Sequence, residues 1–226
     1  AAPNAPVPPT PPALADGDIA VVGLAGRFPG AEDLDALWRL LVAGEEAITA
    51  VPAGRWDAAG ERRGGFIAGA EDFDAAFFSL PPVEAETLDP QTRCFLQVAW
   101  HALEQAGYAR SGLLRRRYGE GPAPVGVFAG VTHNSYQIRG TLRQQAAPTR
   151  VDQSGQWTLA NRASFFLDLS GPSLPVDTAC SASLTALHLA CESLRRGECA
   201  AALVGGVNLH LHPVKHEAAA ALGMLS

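Results

Sequence analysis

Lysine is nearly absent from this chain of 226 residues. Of its 17 basic residues only Lys215 is a lysine, and 23 acidic residues leave a net charge of −6. That balance argues against nucleic-acid binding as a main role. Disulfide and zinc spacing are lacking too: Cys94, Cys180, Cys191 and Cys199 form no C-x-x-C pair, which fits reduced thiols better than a covalent scaffold. No apolar run reaches roughly 18 residues and no signal-peptide layout opens the chain, so no membrane association is expected and a cytoplasmic protein is the default. Three motifs of common enzymes are missing: G-x-G-x-x-G, G-x-x-x-x-G-K-[ST] and G-x-S-x-G. Dinucleotide binding, P-loop phosphate binding and serine hydrolysis lose their usual signals with them.

What is present suits one globular unit with a substantial core, at 47% hydrophobic and 18% charged residues. Residues 1–17 read as a linker, with six prolines among the first twelve positions favouring extended conformations; residues 18–226 carry the fold. Ile19-Ala-Val-Val-Gly-Leu24 is a continuous apolar run, expected to form a buried strand. Leu34, Leu37, Trp38 and Leu41 then mark an amphipathic helix that Gly44 ends. Glu84 to Gly107 reads as one long helix, with Leu96, Val98, Ala99, Trp100 and Leu103 as its packed residues. Val125–Ala129 and Ala201–Val207 are further apolar strands, and the strand–helix–strand order predicts an α/β fold with a parallel or mixed sheet.

The densest signal is Pro172-Ser-Leu-Pro-Val-Asp-Thr-Ala-Cys180-Ser-Ala-Ser, a short strand (Leu174 to Val176), a tight turn and a helix beginning at or just after the cysteine. Leu184, Leu187, Cys191 and Leu194 recur along that helix at helical period as one apolar face. At a strand-to-helix corner, backbone N–H groups and the helix dipole favour negative charge, and so the nucleophilic thiolate. Small neighbours at Ala179, Ser181, Ala182 and Ser183 leave room for a substrate. Asp177 and Thr178 read as structural supports of the corner, and Gly205-Gly206 as a site of close packing near it.

Other candidates are weaker. His210 and His212 would share one face of a strand, with His216 beyond a proline turn, but no nearby carboxylate or other group to orient their rings is identifiable and no metal site is assigned. Glu86 and Asp89 read as helix-start carboxylates rather than an acid/base pair. Arg115-Arg-Arg117, near Arg110, is either a solvated loop or a docking patch for an acidic partner. The polar loop Thr132-His133-Asn-Ser-Tyr136 leaves a strand end, where pockets of α/β folds collect. A cysteine hydrolase would want a recognisable Cys/His pairing, and none is present.

The motifs resemble one family. Asp177-Thr-Ala-Cys180-Ser-x-Ser, then Leu194-Arg-Arg-Gly-Glu-Cys199 and Ala202-Leu-Val-Gly-Gly-Val-Asn208, are similar to the β-ketoacyl synthase (ketosynthase) domain of modular polyketide synthases. So are the opening Ile19-Ala-Val-Val-Gly-Leu-Ala-Gly-Arg-Phe-Pro-Gly30, Leu37-Trp38, Arg55-Trp-Asp57 and Asp89-Pro-Gln-Thr-Arg93. Leu211-His-Pro-Val-Lys215 looks like a loop of the acyltransferase-less (trans-acyltransferase) class.

The resemblance implies a thiolase-like fold of αβαβα layers, of which this is the N-terminal half. It implies that Cys180 accepts an acyl chain as a thioester from an acyl carrier protein, whose phosphopantetheine is the substrate arm; no cofactor is expected in the domain itself. A malonyl-type extender would be the second substrate, joined by decarboxylative condensation. Thr132 and His133 would border the acyl pocket, and a homodimer is expected through the strand before Cys180. The family's two catalytic histidines belong to the second half: no His-Gly-Thr occurs here, and His101, His133, His188, His210, His212 and His216 match neither. Alone, the chain is therefore expected to be incomplete for condensation, to leave an apolar face uncovered and to need the complementary C-terminal half, on the same chain or a separate one. The alternative reading is a non-elongating or split half that serves docking or transacylation.

Overall fold

The first regular element forms where Asp33 caps it: its carboxylate accepts the Ala36 N–H at 2.7 Å, and helix α1 (Leu34–Ala43) runs to Gly44, left-handed at φ 65°. The computed structural model describes residues 17–56, 62–108, 123–146 and 154–225. Two short strands follow, β1 (Ile48–Ala50) and β2 (Arg63–Gly65), paired antiparallel. Next come α2 (Pro82–Thr87), α3 (Pro90–Gln105), β3 (Val125–Gly130), α4 (Ser135–Ala146) and α5 (Trp157–Leu167). Strand β4 (Ser173–Val176), α6 (Ala182–Arg195), β5 (Ala201–Gly206) and α7 (Val214–Ala221) complete the order.

The main sheet is parallel, in the order β4-β3-β5. Central β3 is buried along its whole length, and the period of two sorts its side chains between two layers. Val127 and Ala129, with Val131 beyond, face a core built with Leu96 and Leu103 of α3 and Leu159, Ala163 and Phe166 of α5. Phe128 points the other way, onto Ala186 and Ala190 of α6 with Val176. The sheet is thus sandwiched between α3/α5 and α6. Fully burying one such Val or Phe stabilises the fold by about 1.5–3 kcal/mol.

Helix α6 lies very close to the sheet, and glycines set the distance. A Cβ on Gly130 would stand 2.7 Å from the Ser183 nitrogen and 2.8 Å from its Cα; one on Gly206 would stand 2.9 Å from the Ser183 Cβ. Residues facing the sheet are accordingly small: Ala182, Ala186, Ala190 and Ser193 are the buried ones of α6. The periodic face expected from Leu184 and Leu187 points outward instead, Leu184 being 71% exposed. Large side chains could not follow the backbone into so narrow a gap.

Two further expectations are corrected. Ile19–Leu24 forms no strand; Val21 is 72% exposed, and the segment instead lies along α3, where the Leu24 N–H meets the Gln105 side chain and Gly23 abuts Ala102 and Ala106. An apolar run becomes a strand only where a partner edge satisfies its backbone, and no described strand pairs with it. The single helix expected over Glu84–Gly107 is two, because Pro90 disfavours helical backbone at the residue before it: Leu88 and Asp89 are extended, at ψ 133° and 128°. Its C-terminal stop stands, with Gly107 at φ 75°. Of its packed residues Leu96, Ala99 and Leu103 are buried, while Val98 and Trp100 pack partly buried. On α1 the helix forms as expected, but its apolar face is open, Trp38 being 68% exposed.

The linker assigned to residues 1–17 lies outside the described residues up to position 16, as do Asp57 and the Arg110 and Arg115–Arg117 cluster. No helix among the described residues is long and apolar enough to cross a membrane.

The close seat of α6 yields a test. Gly130→Ala drives a methyl into helix backbone that cannot rotate away, and should cost about 1–3 kcal/mol. The checking measurement is the urea midpoint at unchanged m-value; an unshifted midpoint would contradict the role given to this glycine.

Candidate active site

Strand β4 ends at Val176, and within five residues the chain has turned into α6. The turn passes through Ala179, held at φ 55°, a left-handed backbone that a residue with a Cβ adopts only at a cost. Several hydrogen bonds hold it there. The Asp177 carboxylate accepts the Ala179 N–H at 3.1 Å, Thr132 Oγ1 donates to the Ala179 carbonyl at 3.1 Å, and the Ala182 N–H reaches the same carbonyl at 3.0 Å. Ser181 Oγ donates to the Thr178 carbonyl at 2.9 Å, and the Thr178 and Thr185 hydroxyls meet at 3.0 Å. Asp177 and Thr178 thus support the corner, as read from the sequence. The Ala179 N–H, with lesser help from Gln156, Thr132 and His133, holds the Asp177 carboxyl below the usual carboxylate range.

Cys180 follows the left-handed residue directly, one position before the N-cap Ser181, and is exposed. Of the other cysteines, Cys94 and Cys199 are buried and Cys191 half-buried. The corner therefore presents one accessible thiol at a helix N-terminus, where the macrodipole favours negative charge.

The loop after β3 stands beside this corner. Thr132 touches it through Ala179, and the His133 carbonyl accepts the Gln91 side-chain N–H at 2.7 Å. The other end of that Gln91 amide accepts the Leu209 N–H at 3.0 Å, so one buried glutamine joins the loops that leave β3 and β5. Loss of solvent around its ring, and then the Lys215 charge, push His133 below the ordinary imidazole range, against the pull of Asp177. Burial brings Lys215 down to about 8, and its ammonium donates to Asn208 Oδ1. Burial, then Lys215, pushes His210 down to about 4.

His210, His212 and His216 do not converge on one point. Residues 207–211 form no strand: Leu209 and Leu211 turn inward while His210 lies half-buried, its ring 6.2 Å from that of His216. His212 Nδ1 accepts the Val214 N–H at 3.2 Å and so serves the start of α7. Among the described residues no three His, Cys, Asp or Glu side chains are grouped to hold a metal ion.

Residues 16–226 match the β-ketoacyl synthase N-terminal domain. The chain belongs to the β-ketoacyl synthase family. This ketosynthase chain is 50% identical over 219 residues to the polyketide synthase ThaG of Burkholderia thailandensis, covering 91% of the chain and 4% of that protein. It is 42% identical over 212 residues to the polyketide synthase PksL of Bacillus subtilis, covering 88% of the chain and 5% of that protein. Among solved structures, the oxazolomycin ketosynthase domain OzmH KS7 of Streptomyces albus superposes with a TM-score of 0.83 at 41% identity, covering 91% of this chain and 37% of that one. The ketosynthase from module 6 of the bacillaene synthase of Bacillus subtilis gives 0.79 at 38% identity, covering 92% and 34%. The fold is thiolase-like, and the chain spans about a third of the solved ketosynthases it matches.

Of the residues singled out from sequence, the ketosynthase corner brings together Cys180, Asp177, Thr178 and Thr132, with Gly206 against Ser183 behind them; Gly205 seats Phe95 instead. Three contributors were missed: Gln91, Gln156 and Gly130. Gln91 stood inside Asp89-Pro-Gln, a motif noticed for its resemblance alone, and no sequence pattern announced the others.

Asp89 supplies a prediction. Its carboxylate caps α3 by accepting the Gln91 N–H at 2.8 Å, yet it is 2% exposed, and burial pushes it up from 3.8 to about 6. The folded state thus favours the protonated acid. That contribution is full below the unfolded value of about 4 and lost as pH rises through about 6, a swing of about 3 kcal/mol. Asp89→Asn keeps an N-cap acceptor and removes the titration. Unfolding free energies measured between pH 4 and 6 should slope downward with pH in the wild type more steeply than in the variant; equal slopes would contradict this reading.

Proposed function

We propose that the chain is the nucleophile-bearing N-terminal half of a polyketide ketosynthase of the acyltransferase-less class, with Cys180 as the acyl-accepting residue. The Cys180 thiolate attacks the carbonyl of an acyl-phosphopantetheine thioester carried on an acyl carrier protein. The tetrahedral oxyanion collapses by expelling the pantetheine sulfur, which takes up a proton, and the acyl group stays on Cys180. Backbone N–H groups at the start of α6 favour that negative charge. Decarboxylative condensation with a malonyl-type extender follows in the complete domain, where histidines outside this chain stabilise the enolate. The domain binds no cofactor of its own. Thr132 and His133 border the acyl chain.

The observation that carries this reading is the exposed Cys180 directly after a left-handed Ala179, at the mouth of a strand-to-helix turn. Further support comes from the surface. Strand β4 is one of the two edge strands of the described sheet, with Leu174 and Pro175 exposed, which suits pairing with a second copy across the homodimer. Exposed Val21, Val22, Trp38, Leu41 and Val42 suit cover by the C-terminal half of the domain. So does a cavity of about 400 Å³ between residues 23–29 and 203–210.

Intact-protein mass spectrometry of the ketosynthase domain carrying this chain, after incubation with a short acyl-pantetheine thioester, tests the reading. One added acyl group per chain, absent in Cys180→Ala, is the expected result. No adduct on folded protein, or an adduct that survives in Cys180→Ala, would contradict it.

A further inference from the structure

Gln156 stands at the N-cap position of α5, where a side chain ordinarily serves the helix, yet it makes no capping hydrogen bond. Its amide reaches sideways instead. Nε2 lies 3.2 Å from the Thr132 carbonyl, 3.5 Å from the Val131 carbonyl and 3.3 Å from Asp177 Oδ2. Two N–H bonds serve these acceptors: one is shared by the adjacent carbonyls of the loop after β3, and the other reaches the carboxylate. The second oxygen of that carboxylate accepts the Ala179 N–H, and Thr132 closes the circuit through Oγ1 to the Ala179 carbonyl. Both backbone polar groups of the left-handed residue are therefore tied to one half-buried glutamine through one intermediary each.

We infer that Gln156 is a positioning residue for Cys180: its amide fixes Asp177 against the loop after β3, and so holds the left-handed Ala179 that aims the thiol. The inference rests on the proposed role of Cys180 and adds to it a residue on a different helix that touches neither thiol nor substrate. Without the amide, Asp177 loses its described side-chain donor, the Thr132 hydroxyl being given to the Ala179 carbonyl, and the strained backbone at Ala179 is less firmly fixed. Misaim of a nucleophile slows the chemical step more than it weakens binding.

The discriminating variant is Gln156→Glu, equal in shape but with a carboxylate facing that of Asp177. Around this bridge the titratable groups are Asp177 itself, His133 on the loop after β3 with Lys215 behind it, and the reacting Cys180 thiol. All four remain in the variant, so the ratio of variant to wild-type rates isolates the introduced acid. Acyl transfer from an acyl-pantetheine thioester to the ketosynthase domain carrying this chain should fall roughly tenfold in kcat at neutral pH with KM little changed. The ratio should recover as pH falls toward roughly 5, because a protonated glutamic acid again donates a hydrogen bond. Gln156→Asn, whose amide is one methylene too short to span both sides, should show the kcat loss without the recovery. Wild-type kcat in Gln156→Glu, or a loss that does not change with pH, would overturn the inference. Absence of acylation in the wild type would instead remove the proposed role of Cys180, so the two failures are told apart.

Discussion

Everything at the corner depends on a close helix-to-sheet contact that two glycines permit. Gly130 and Gly206 end neighbouring parallel strands, and both meet the chain at Ser183, in the first turn of α6. That contact places the helix N-terminus over the sheet end rather than beyond it. The peptides between Val176 and Ala182 must then turn in very little space, and a left-handed Ala179 is the turn they make. A strained residue persists only where its surroundings over-determine it. Here the surroundings are the Asp177 carboxylate, the Thr132 hydroxyl and the Ala182 N–H.

Behind the corner lies a second tier of buried polar groups. Gln91 ties the loop after β3 to the segment after β5, while Asp89 caps the helix that carries Gln91. Thr92 and Thr158 join hydroxyls at 3.0 Å and link α3 to α5. Such groups are costly to bury unpaired, so once paired they fix loop positions that apolar packing would leave loose. The loop carrying Thr132 and His133 therefore has a defined place beside the turn at Ala179.

The parts of this architecture legible in the sequence were those with local causes. The Val125–Ala129 strand, the αL stop at Gly44 and the strand–turn–helix around Cys180 follow from apolar runs, turn residues and helix periodicity within a few positions. Errors arose where tertiary distance decides. The leucines at helical spacing on α6 face outward because the sheet leaves room only for Ala182, Ala186 and Ala190. Ile19–Leu24 has a strand's composition without a described partner to pair with. Gln91 and Gln156 act across 118 and 21 residues of chain respectively, and no local pattern foretells such a reach.

Under the role proposed for Cys180, sheet-end packing, through the turn it imposes, is what sets this thiol apart from the other three. Alkylation by iodoacetamide, resolved cysteine by cysteine through peptide mass spectrometry, tests it most directly when run on wild type and Gly130→Ala side by side. Cys180 should react well ahead of half-buried Cys191 in the wild type, and its lead should shrink once the added methyl displaces α6. A Cys180 lead of the same size in both proteins would show that the corner does not depend on that contact.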